Sequence, residues 1–326
     1  MAVHTPDDRT WMAAAARLAA RARPLSRPNP AVGALLVRDG RVLASGWTQR
    51  GGRPHAEAQA LGRLGSGAAG GATLYVTLEP CAHESARGPA CADVVAQARP
   101  ARVVIGQRDP DPRTSGQGIA RLERAGIAVA TLDDPASARS LAGYLTRQHL
   151  GRPFVTLKLA LSLDGCIALA DGTSQWITGE PARAHVHAQR ARHDAILVGG
   201  ATWRADRPRL DVRLPGLEQR SPDRLLLTRG VKPEGVSIIN RPDQIGELGA
   251  VHYLYVEGGA QTAASFLRED LVDELHIYTA PIVIGAGMRA IAEIGLADLA
   301  NAHGRWEKRE ARQLGSDAFS AYLRVR

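Results

Sequence analysis

Residues 54–61 read PHAEAQAL and residues 77–91 read TLEPCAHESARGPAC. Together they supply one imidazole, from His55, and two thiols, from Cys81 and Cys91. One imidazole and two thiolates leave a fourth position for water, which makes an open zinc site of the kind used in catalysis. Cys91 lies near the start of a predicted helix, and a helix N-terminus favours the thiolate form that binds metal. We therefore expect these three residues to bind Zn²⁺.

Glu57 is the candidate catalytic residue beside these ligands. It lies two residues from His55, so the two side chains do not share one helix face. This spacing suits one ligand and a separate carboxylate that moves protons to and from a metal-activated water. The His-x-Glu…Pro-Cys pattern is similar to the signature of zinc deaminases, in which the water attacks a ring carbon that bears an amine.

Other roles for the same side chains stay open at the level of sequence. The zinc site is structural if His83 supplies a fourth ligand, since closed sites have four protein ligands. Cys81 and Cys91 form a disulfide or two buried free thiols in the remaining interpretations. Three cysteines in the whole chain are too few, and too odd in number, for a disulfide scaffold.

Length and composition favour a globular protein of two domains. A chain of 326 residues is long for one domain. Hydrophobic residues make up 44% and charged residues 23%, which excludes wholesale disorder. No stretch approaches the roughly 18 uninterrupted apolar residues of a membrane span. Residues 1–10, MAVHTPDDRT, carry two acids where a signal peptide carries bases, so we expect a cytoplasmic protein with no membrane partner.

The net charge of +8 raises the question of a nucleic-acid partner. Of the 41 basic residues only Lys158, Lys232 and Lys308 are lysines, and the arginines are scattered without a block of like charges. This distribution indicates biased composition, with some arginines suited to phosphorylated small molecules. A nucleic-acid-binding or RNA-editing protein needs a basic groove with aromatic stacking residues. Aromatic residues are only 4% of this chain, so we expect no nucleic-acid partner.

Strands alternate with helices in both halves of the chain, which predicts α/β layers with parallel strand pairs. In the first half, Asp39-Gly40 is a strong hairpin signal between two apolar runs. One helix is expected over residues 134–147. In the second half, one strand is expected over residues 274–285.

The boundary between the halves is expected near residues 147–152, where a Leu-Gly-Arg-Pro sequence interrupts the pattern. This gives a first domain over residues 1–148 and a second over residues 149–326. The sequence has no internal repeat and no low-complexity tail.

Several motifs of the first half resemble the bifunctional deaminase–reductase family of riboflavin biosynthesis, and the resemblance covers nearly the whole chain. These motifs are PNPAVGALLV, PHAEAQAL, TLEPCAH, GPAC and RDPDP. The resemblance implies an N-terminal cytidine-deaminase-like three-layer domain. It implies zinc-dependent hydrolytic deamination of 2,5-diamino-6-(5-phosphoribosylamino)pyrimidin-4-one. The residues it implies for substrate binding are Asn29, His83, Arg87 and Asp109.

The second half has no G-x-G-x-x-G after its opening strand, so an ordinary dinucleotide-binding site is not indicated. Its motifs LKLALSLDG, TSQWIT, DAILVGGATWRAD and VEGG resemble the reductase half of the same family. The resemblance implies a dihydrofolate-reductase-like α/β domain that uses NADPH to reduce the ribosyl side chain to ribityl. The implied cofactor residues are Ala160, Trp176, Thr202, Asp206, Gly258 and Gly259. The implied substrate residues are Lys158, Ser174, Arg190, Leu210, Arg213 and Glu257.

The chain also departs from the family pattern at several positions. Nine residues separate the two cysteines, one more than is usual, and Thr48 and Asp111 replace a common His and Asn. Cys166, Arg207 and Thr228 are the departures in the second half.

Simpler roles remain open for two residues of the second half. Before the resemblance is considered, Trp176 is a packing anchor and Arg190 belongs to a solvated basic helix face. A degenerate reductase-like domain that serves only assembly and a non-catalytic zinc-stabilised protein are the alternatives to a bifunctional enzyme. A homo-oligomer is expected.

Overall fold

The computed structural model describes residues 5, 7–65, 67–83 and 85–326. The chain divides into two compact units, unit 1 up to Gly151 and unit 2 from Arg152 to Arg326. The division after residue 151 lies inside the interval 147–152 and three residues beyond the expected domain end at residue 148. Among the helices of the described residues, none combines the length and the apolar character needed to cross a membrane.

Unit 1 is built on a mixed sheet. In chain order its helices and strands are α1 (Asp8–Ala19), β1 (Gly33–Arg38), β2 (Arg41–Trp47), α2 (Ala56–Leu61), β3 (Thr73–Leu78), α3 (Cys91–Ala98), β4 (Arg102–Gln107), α4 (Gln117–Arg124), β5 (Ala128–Thr131), α5 (Pro135–Ser140) and α6 (Ala142–Leu150). The strand order is β2-β1-β3-β4-β5 over the described residues. β1 is antiparallel to β2 and β3, whereas β3, β4 and β5 are parallel.

The hairpin predicted at Asp39-Gly40 is confirmed. Both residues have positive φ, 50° and 70°, which is the geometry of a type I′ turn between two antiparallel strands. Helix α2 lies close on β2, because a Cβ atom on Gly46 would be 2.2 Å from the Ala56 carbonyl oxygen. Only glycine permits this approach, which fixes the start of α2 and therefore the residue before it, His55.

The prediction of a single helix over residues 134–147 is wrong. The structure has two helices, α5 and α6, which meet at Leu141. The Ser140 hydroxyl donates to the Ser137 carbonyl oxygen, a local bond that bends helices. Leu141, where the two helices meet, is buried in the core of unit 1.

Unit 2 contains a larger and mostly parallel sheet. Its helices and strands are β6 (Phe154–Leu161), β7 (Cys166–Ala168), α7 (Glu180–Arg190), β8 (Ala195–Gly199), α8 (Gly200–Asp206), β9 (Asp223–Leu227), β10 (Ser237–Ile239), β11 (Tyr253–Val256), α9 (Ala260–Arg268), β12 (Glu274–Thr279), β13 (Met288–Arg289), β14 (Trp306–Leu314) and β15 (Asp317–Arg324). The order is β10-β9-β8-β11-β6-β12-β15-β14. The pairs are parallel as far as β12, and β15 is antiparallel to both its neighbours.

Two features of unit 2 differ from the sequence prediction. The strand expected over residues 274–285 ends at Thr279, because Pro281 has no N–H to donate to a ladder. The antiparallel hairpin of β14 and β15 was missed. β14 reads WEKREARQL, and its charged side chains are mostly exposed, so it lacks the apolar alternation that identifies a strand.

One carboxylate joins the first and last residues of unit 2. Asp273 is buried and accepts hydrogen bonds from both terminal nitrogens of Arg152, at 2.7 and 3.0 Å. It also accepts one from Arg326 Nη1 at 2.7 Å and one from the Val155 amide at 2.8 Å. A buried charge is stable when it is paired and hydrogen-bonded in this way.

Candidate active sites

The three candidate metal ligands of unit 1 lie together. One donor atom from each of His55, Cys81 and Cys91 falls within 4.8 Å of the others. His55 Nδ1 is 3.2 Å from Cys91 Sγ and 3.6 Å from Cys81 Sγ. All three cysteines of the chain are free thiols, so the disulfide alternative is excluded. Over the described residues, this is the group of His, Cys and acidic side chains that meets the geometry of a metal site.

Three local features position these side chains. His55 precedes α2 as its N-cap residue, Cys81 follows β3, and Cys91 is the first residue of α3. The Asn29 amide nitrogen lies 2.9 Å from His55 Nε2 and donates to the Gly52 carbonyl oxygen at 3.1 Å. Contact at Nε2 orients the imidazole so that Nδ1 faces both sulfurs. Asn29 is thus the predicted substrate residue that the structure joins directly to the cluster.

The protonation of the cluster is set by its own contacts. A hydrogen bond from the Cys91 thiol lowers the pKa of Cys81, and the Cys91 amide donates to the same sulfur at 3.3 Å. The same bond keeps the proton on Cys91 and raises its pKa. Burial raises the pKa of Glu57, which lies in the first turn of α2. A carboxyl group with a raised pKa is suited to carry a proton between reacting atoms.

The other predicted substrate residues of unit 1 lie on the loops that follow β3 and β4. His83 is half-buried, with Nδ1 3.4 Å from Thr114 Oγ1. Arg87 is exposed and donates to the Gly51 carbonyl oxygen. Asp109 is buried and accepts a hydrogen bond from the Tyr144 hydroxyl at 2.7 Å, and burial raises its pKa. In the described part of the chain, no hydrogen bond joins these three to the metal-ligand cluster.

His83 does not belong to the ligand group, so the described residues do not provide the closed fourth position of a structural site. The departures at Thr48 and Asp111 have local roles. The buried Thr48 hydroxyl accepts from the Val32 amide at 3.0 Å. Asp111 forms a two-point ion pair with Arg113, which lowers its pKa.

Sequence reasoning missed Arg53 and Glu79. Arg53 Nη1 donates to the Pro89 carbonyl oxygen at 3.2 Å, and its positive charge acts to lower the pKa of Cys91, against the stronger effects that raise it. The signal was available, since Arg53 lies two residues before His55. Glu79 accepts three backbone hydrogen bonds, and nothing in the sequence indicates their donors.

In unit 2 the central feature is a buried charge cluster. Glu257 follows β11 and accepts from Arg190 Nε at 2.6 Å and from Arg190 Nη2 at 3.0 Å. Lys158 Nζ, on β6, is 3.6 Å from Glu257 Oε2. The side chains of Glu257 and Arg190 are only 9% and 12% exposed. Burial alone raises the pKa of Glu257, but Arg190 and Lys158 outweigh it and lower the pKa to about 2.

Asp211 links this cluster to the second predicted arginine. Arg190 Nη1 donates to the Asp211 carbonyl oxygen at 3.0 Å, and Arg213 Nε lies 3.5 Å from Asp211 Oδ1. Arg190 therefore does not lie on a solvated helix face, which corrects that alternative. Arg213 is exposed, with 54% of its side chain open to solvent.

The glycine-rich turns of unit 2 meet because β8 and β11 are parallel neighbours. Gly259 is the N-cap residue of α9, and a Cβ atom added to it would be 3.6 Å from Thr202 Oγ1. A Cβ atom on Gly258 would be 2.4 Å from Thr262 Cβ, and one on Gly199 would be 2.2 Å from Thr262 Oγ1. Glycine at these positions leaves the backbone bare at a helix N-terminus, an arrangement that accepts phosphate groups.

The remaining predicted residues of unit 2 are spread over several environments. Ala160 and Leu210 pack in one apolar group, and Asp206 is exposed at the end of α8. Trp176 is 64% exposed and stacks on the Arg183 guanidinium, 4.9 Å from the ring centre, so it is not a core packing anchor. Among the described residues, no hydrogen bond or ion pair joins Ser174, Trp176 or Asp206 to the charge cluster.

The structure also shows the surroundings of the three residues of unit 2 that depart from the family pattern. Cys166 is buried in β7, with Sγ 3.9 Å from Asp164 Oδ2. Arg207 ends α8 with φ of 38°, and the Thr228 hydroxyl lies 3.1 Å from the position of a Cβ atom on Gly200.

Comparison with known proteins identifies both units. The family model described as the cytidine and deoxycytidylate deaminase zinc-binding region matches residues 5–107, and the RibD C-terminal domain matches residues 153–319. The riboflavin biosynthesis protein RibD of Escherichia coli is 37% identical, over 95% of this chain and 97% of its own. That of Aquifex aeolicus is 34% identical, over 97% and 98%.

Solved structures of related proteins are similar to this chain over nearly its whole length. RibD of Acinetobacter baumannii is 33% identical with a TM-score of 0.84, covering 98% of this chain and 99% of its own. The diaminohydroxyphosphoribosylaminopyrimidine deaminase/5-amino-6-(5-phosphoribosylamino)uracil reductase of Thermotoga maritima is 30% identical with a TM-score of 0.86, at the same coverage. The expected order of a cytidine-deaminase-like domain and a reductase domain is confirmed. The chain belongs to the RibD family of riboflavin biosynthesis proteins, bifunctional enzymes that join a zinc-binding deaminase domain to a reductase domain.

Proposed function

We propose that unit 1 deaminates 2,5-diamino-6-(5-phosphoribosylamino)pyrimidin-4-one with Zn²⁺ and that unit 2 then reduces the ribosyl side chain of the product with NADPH. His55, Cys81 and Cys91 would hold the zinc, and Glu57 would be the catalytic acid and base. The observation that carries the proposal is the group of two sulfurs and one imidazole nitrogen within 4.8 Å, next to a buried carboxyl group.

The donor set of unit 1 fits zinc. Two sulfurs and one nitrogen are ligands that zinc accepts, and three protein ligands leave room for water. When bound, zinc acts as a Lewis acid that activates water for attack on the ring carbon. Glu57 would take one proton from the attacking water and pass it to the departing amine. The water oxygen would stay on the ring carbon as the carbonyl and its second proton would go to the adjacent ring nitrogen, while the C–N bond to the amine breaks and ammonia leaves.

The residues around the cluster would hold the substrate. Asn29, which orients His55, and His83 are the candidates for contact with the pyrimidine or its ribose phosphate. Arg87 is exposed beside the cluster loops, and a guanidinium matches the oxygens of a phosphate group. Asp109 keeps its carboxyl group buried on the neighbouring loop.

The glycine turns of unit 2 fit a phosphate-bearing cofactor. Gly258 and Gly259 would face the NADPH phosphates, with Thr202 beside them, because bare backbone N–H groups at the start of α9 suit anions. Ala160, Trp176 and Asp206 are the other proposed cofactor contacts. When bound, NADPH supplies the hydride, and the protein supplies orientation.

The charge cluster of unit 2 would orient the sugar. Glu257, held between Arg190 and Lys158, is fixed in its ionised form and can accept hydrogen bonds from sugar hydroxyls. Arg213, which is exposed, would take the substrate phosphate, and Ser174 and Leu210 would line the same site. Homo-oligomerisation and a cytoplasmic location stay predictions of the sequence.

The test is a two-step turnover with the purified full chain. Zinc content should be about one per chain. With the diaminopyrimidine alone, ammonia should be released, and NADPH should be oxidised only after deamination. Ammonia release without loss of nicotinamide absorbance, even when the deaminated intermediate is supplied, would leave a degenerate reductase. No ammonia release would overturn the deaminase assignment.

A further inference from the structure

Glu79 is a buried carboxylate that the proposed chemistry does not use. It follows β3 directly and lies two residues before Cys81. The residue is only 3% exposed. Over the described residues, its carboxylate has no basic side chain as a partner. Burying an unpaired carboxylate is costly unless hydrogen bonds replace its water, so its acceptor contacts must be strong and organised.

Three backbone N–H groups converge on this carboxylate. Gly116 donates to Oε2 at 3.1 Å, Ile119 donates to Oε1 at 3.2 Å, and Asp109 lies at 3.4 Å from Oε2. All three belong to the β4–α4 segment, which we define as residues 108–119. Gly116 is the N-cap residue of α4 and Ile119 lies in its first turn. These amides have no partner inside the helix, and a negative charge is favourable at a helix N-terminus.

The β4–α4 segment is also pressed against the chain that carries Cys81. A Cβ atom on Gly118 would be 2.1 Å from the Pro80 carbonyl oxygen and 3.2 Å from Glu79 Cγ. No other residue fits at this position without moving the backbone. The segment is therefore packed directly against the turn between Glu79 and Cys81.

The segment carries the groups that are proposed to meet the substrate. Asp109 lies at its start, with its carboxyl group held by the Tyr144 hydroxyl at 2.7 Å. Thr114 lies in its middle and contacts His83 Nδ1 at 3.4 Å. Glu79 touches neither the donor atoms of the metal-ligand cluster nor these side chains, but it binds the backbone that places them.

We infer that Glu79 is a positioning residue for deamination, which fixes the β4–α4 segment and so holds Asp109 and His83 at the pyrimidine. The inference rests on the proposed function of unit 1. Two residues close in the chain then have different roles. Cys81 would bind the metal, and Glu79 would hold the β4–α4 segment next to the metal ligands.

The test is Glu79→Gln in the full chain. The amide group presents N–H where the carboxylate presented an oxygen, so one backbone donor then faces another donor. We expect KM for the diaminopyrimidine to rise about tenfold or more, which is the effect of losing a hydrogen bond to a charged acceptor. kcat should change less than KM, and zinc content per chain should not change. Amide hydrogen exchange at Gly116 and Ile119 should become faster.

Glu123→Gln is the matched control, because Glu123 is an exposed residue of the same helix α4 and should leave all four measurements unchanged. Glu79→Asp keeps the charge and should recover part of the loss. Unchanged exchange at both amides, or a KM equal to that of Glu123→Gln, would overturn the inference. Loss of zinc in proportion to activity would also overturn it, because Glu79 would then support the metal. Failure of the proposed function is distinguished by wild-type protein that binds zinc and releases no ammonia.

Discussion

The candidate sites of the two units are assembled in opposite ways. In unit 1, one nitrogen and two sulfur donors come from one stretch, residues 55–91, and each lies where a helix begins or a strand has ended. In unit 2, full charges come from β6, α7 and the end of β11, at Lys158, Arg190 and Glu257. A site built from a local motif is visible in the sequence. A site built from ion pairs between distant elements becomes visible only in the fold.

The two sites also depend on different interactions. The cluster at His55 would be stabilised by the proposed Zn²⁺, because metal binding offsets the cost of holding deprotonated ligands close together. The cluster at Glu257 has charged partners within the protein, since one carboxylate lies between the two basic groups of Arg190 and Lys158. Removing one member of a buried ion pair leaves the other charge unpaired, so loss of Glu257 would lower the stability of unit 2.

The largest effect is expected for Glu57→Gln. Deamination should fall by roughly 10²–10⁴-fold, the usual contribution of a positioned acid–base group. Zinc should remain bound, because Glu57 is not among the ligands. Reduction of the supplied deaminated intermediate should not change, which is the internal control. Loss of zinc together with activity would contradict the assignment of Glu57 as a proton carrier.

Glu257→Gln is expected to damage unit 2 in both function and stability. It leaves Arg190 buried with one charged partner fewer, at a cost of about 3 kcal/mol in the free energy of unfolding. NADPH-dependent reduction should be lost while deamination continues. Glu218→Gln, at an exposed position of unit 2, is the control. Equal stability of the two variants would show that the cluster carries no net folding energy.

The same variant tests a dependence on pH. The pKa of Glu257 is lowered from its ordinary value of 4.5 to about 2 in the folded protein. A lowered pKa contributes stability that is present above the unfolded value and lost as pH falls through the folded value. The difference in unfolding free energy between wild type and Glu257→Gln should therefore shrink between pH 4.5 and pH 2. A difference that stays constant over this range would contradict the ion-pair account.

A smaller effect is expected for Gly258→Ala. The new methyl group would lie 2.4 Å from Thr262 Cβ, so α9 must shift. Overpacking of this kind costs about 1–3 kcal/mol, measured by thermal unfolding, and NADPH binding should weaken. Gly249→Ala is the control, because Gly249 is exposed and nothing lies within 4 Å of the position of its added methyl group. Equal effects of the two substitutions would mean that the close approach of Gly258 to α9 is unimportant.

Two features of unit 1, the first hairpin and the candidate metal ligands, could be predicted because each depends on a short local sequence. Asp39-Gly40 adopts positive φ more readily than most residue pairs, so the hairpin was determined locally. His55, Cys81 and Cys91 are residue types with few other uses at such spacing. The bend at Leu141 was not predicted, because it depends on the depth at which one side chain is buried.

The unpredicted parts share a cause, which is dependence on partners far away in the chain. The ionisation of Glu257 depends on Arg190, 67 positions earlier, and the role of Glu79 depends on amides up to 40 positions later. β14 is a strand because β15 pairs with it, although its own side chains are mostly charged. The resemblance to a family named Glu257 and Arg190 but not their contacts, and it did not name Glu79.

The ion pairs that Asp273 forms with Arg152 and Arg326 have a consequence for protein engineering. Arg152 and Arg326 bind the same carboxylate, so the chain enters and leaves unit 2 at one corner. Adjacent ends are the condition under which circular permutation and domain insertion are tolerated. A short linker across this corner would therefore close unit 2 into a ring, and new ends opened in an exposed loop would leave its sheet order unchanged.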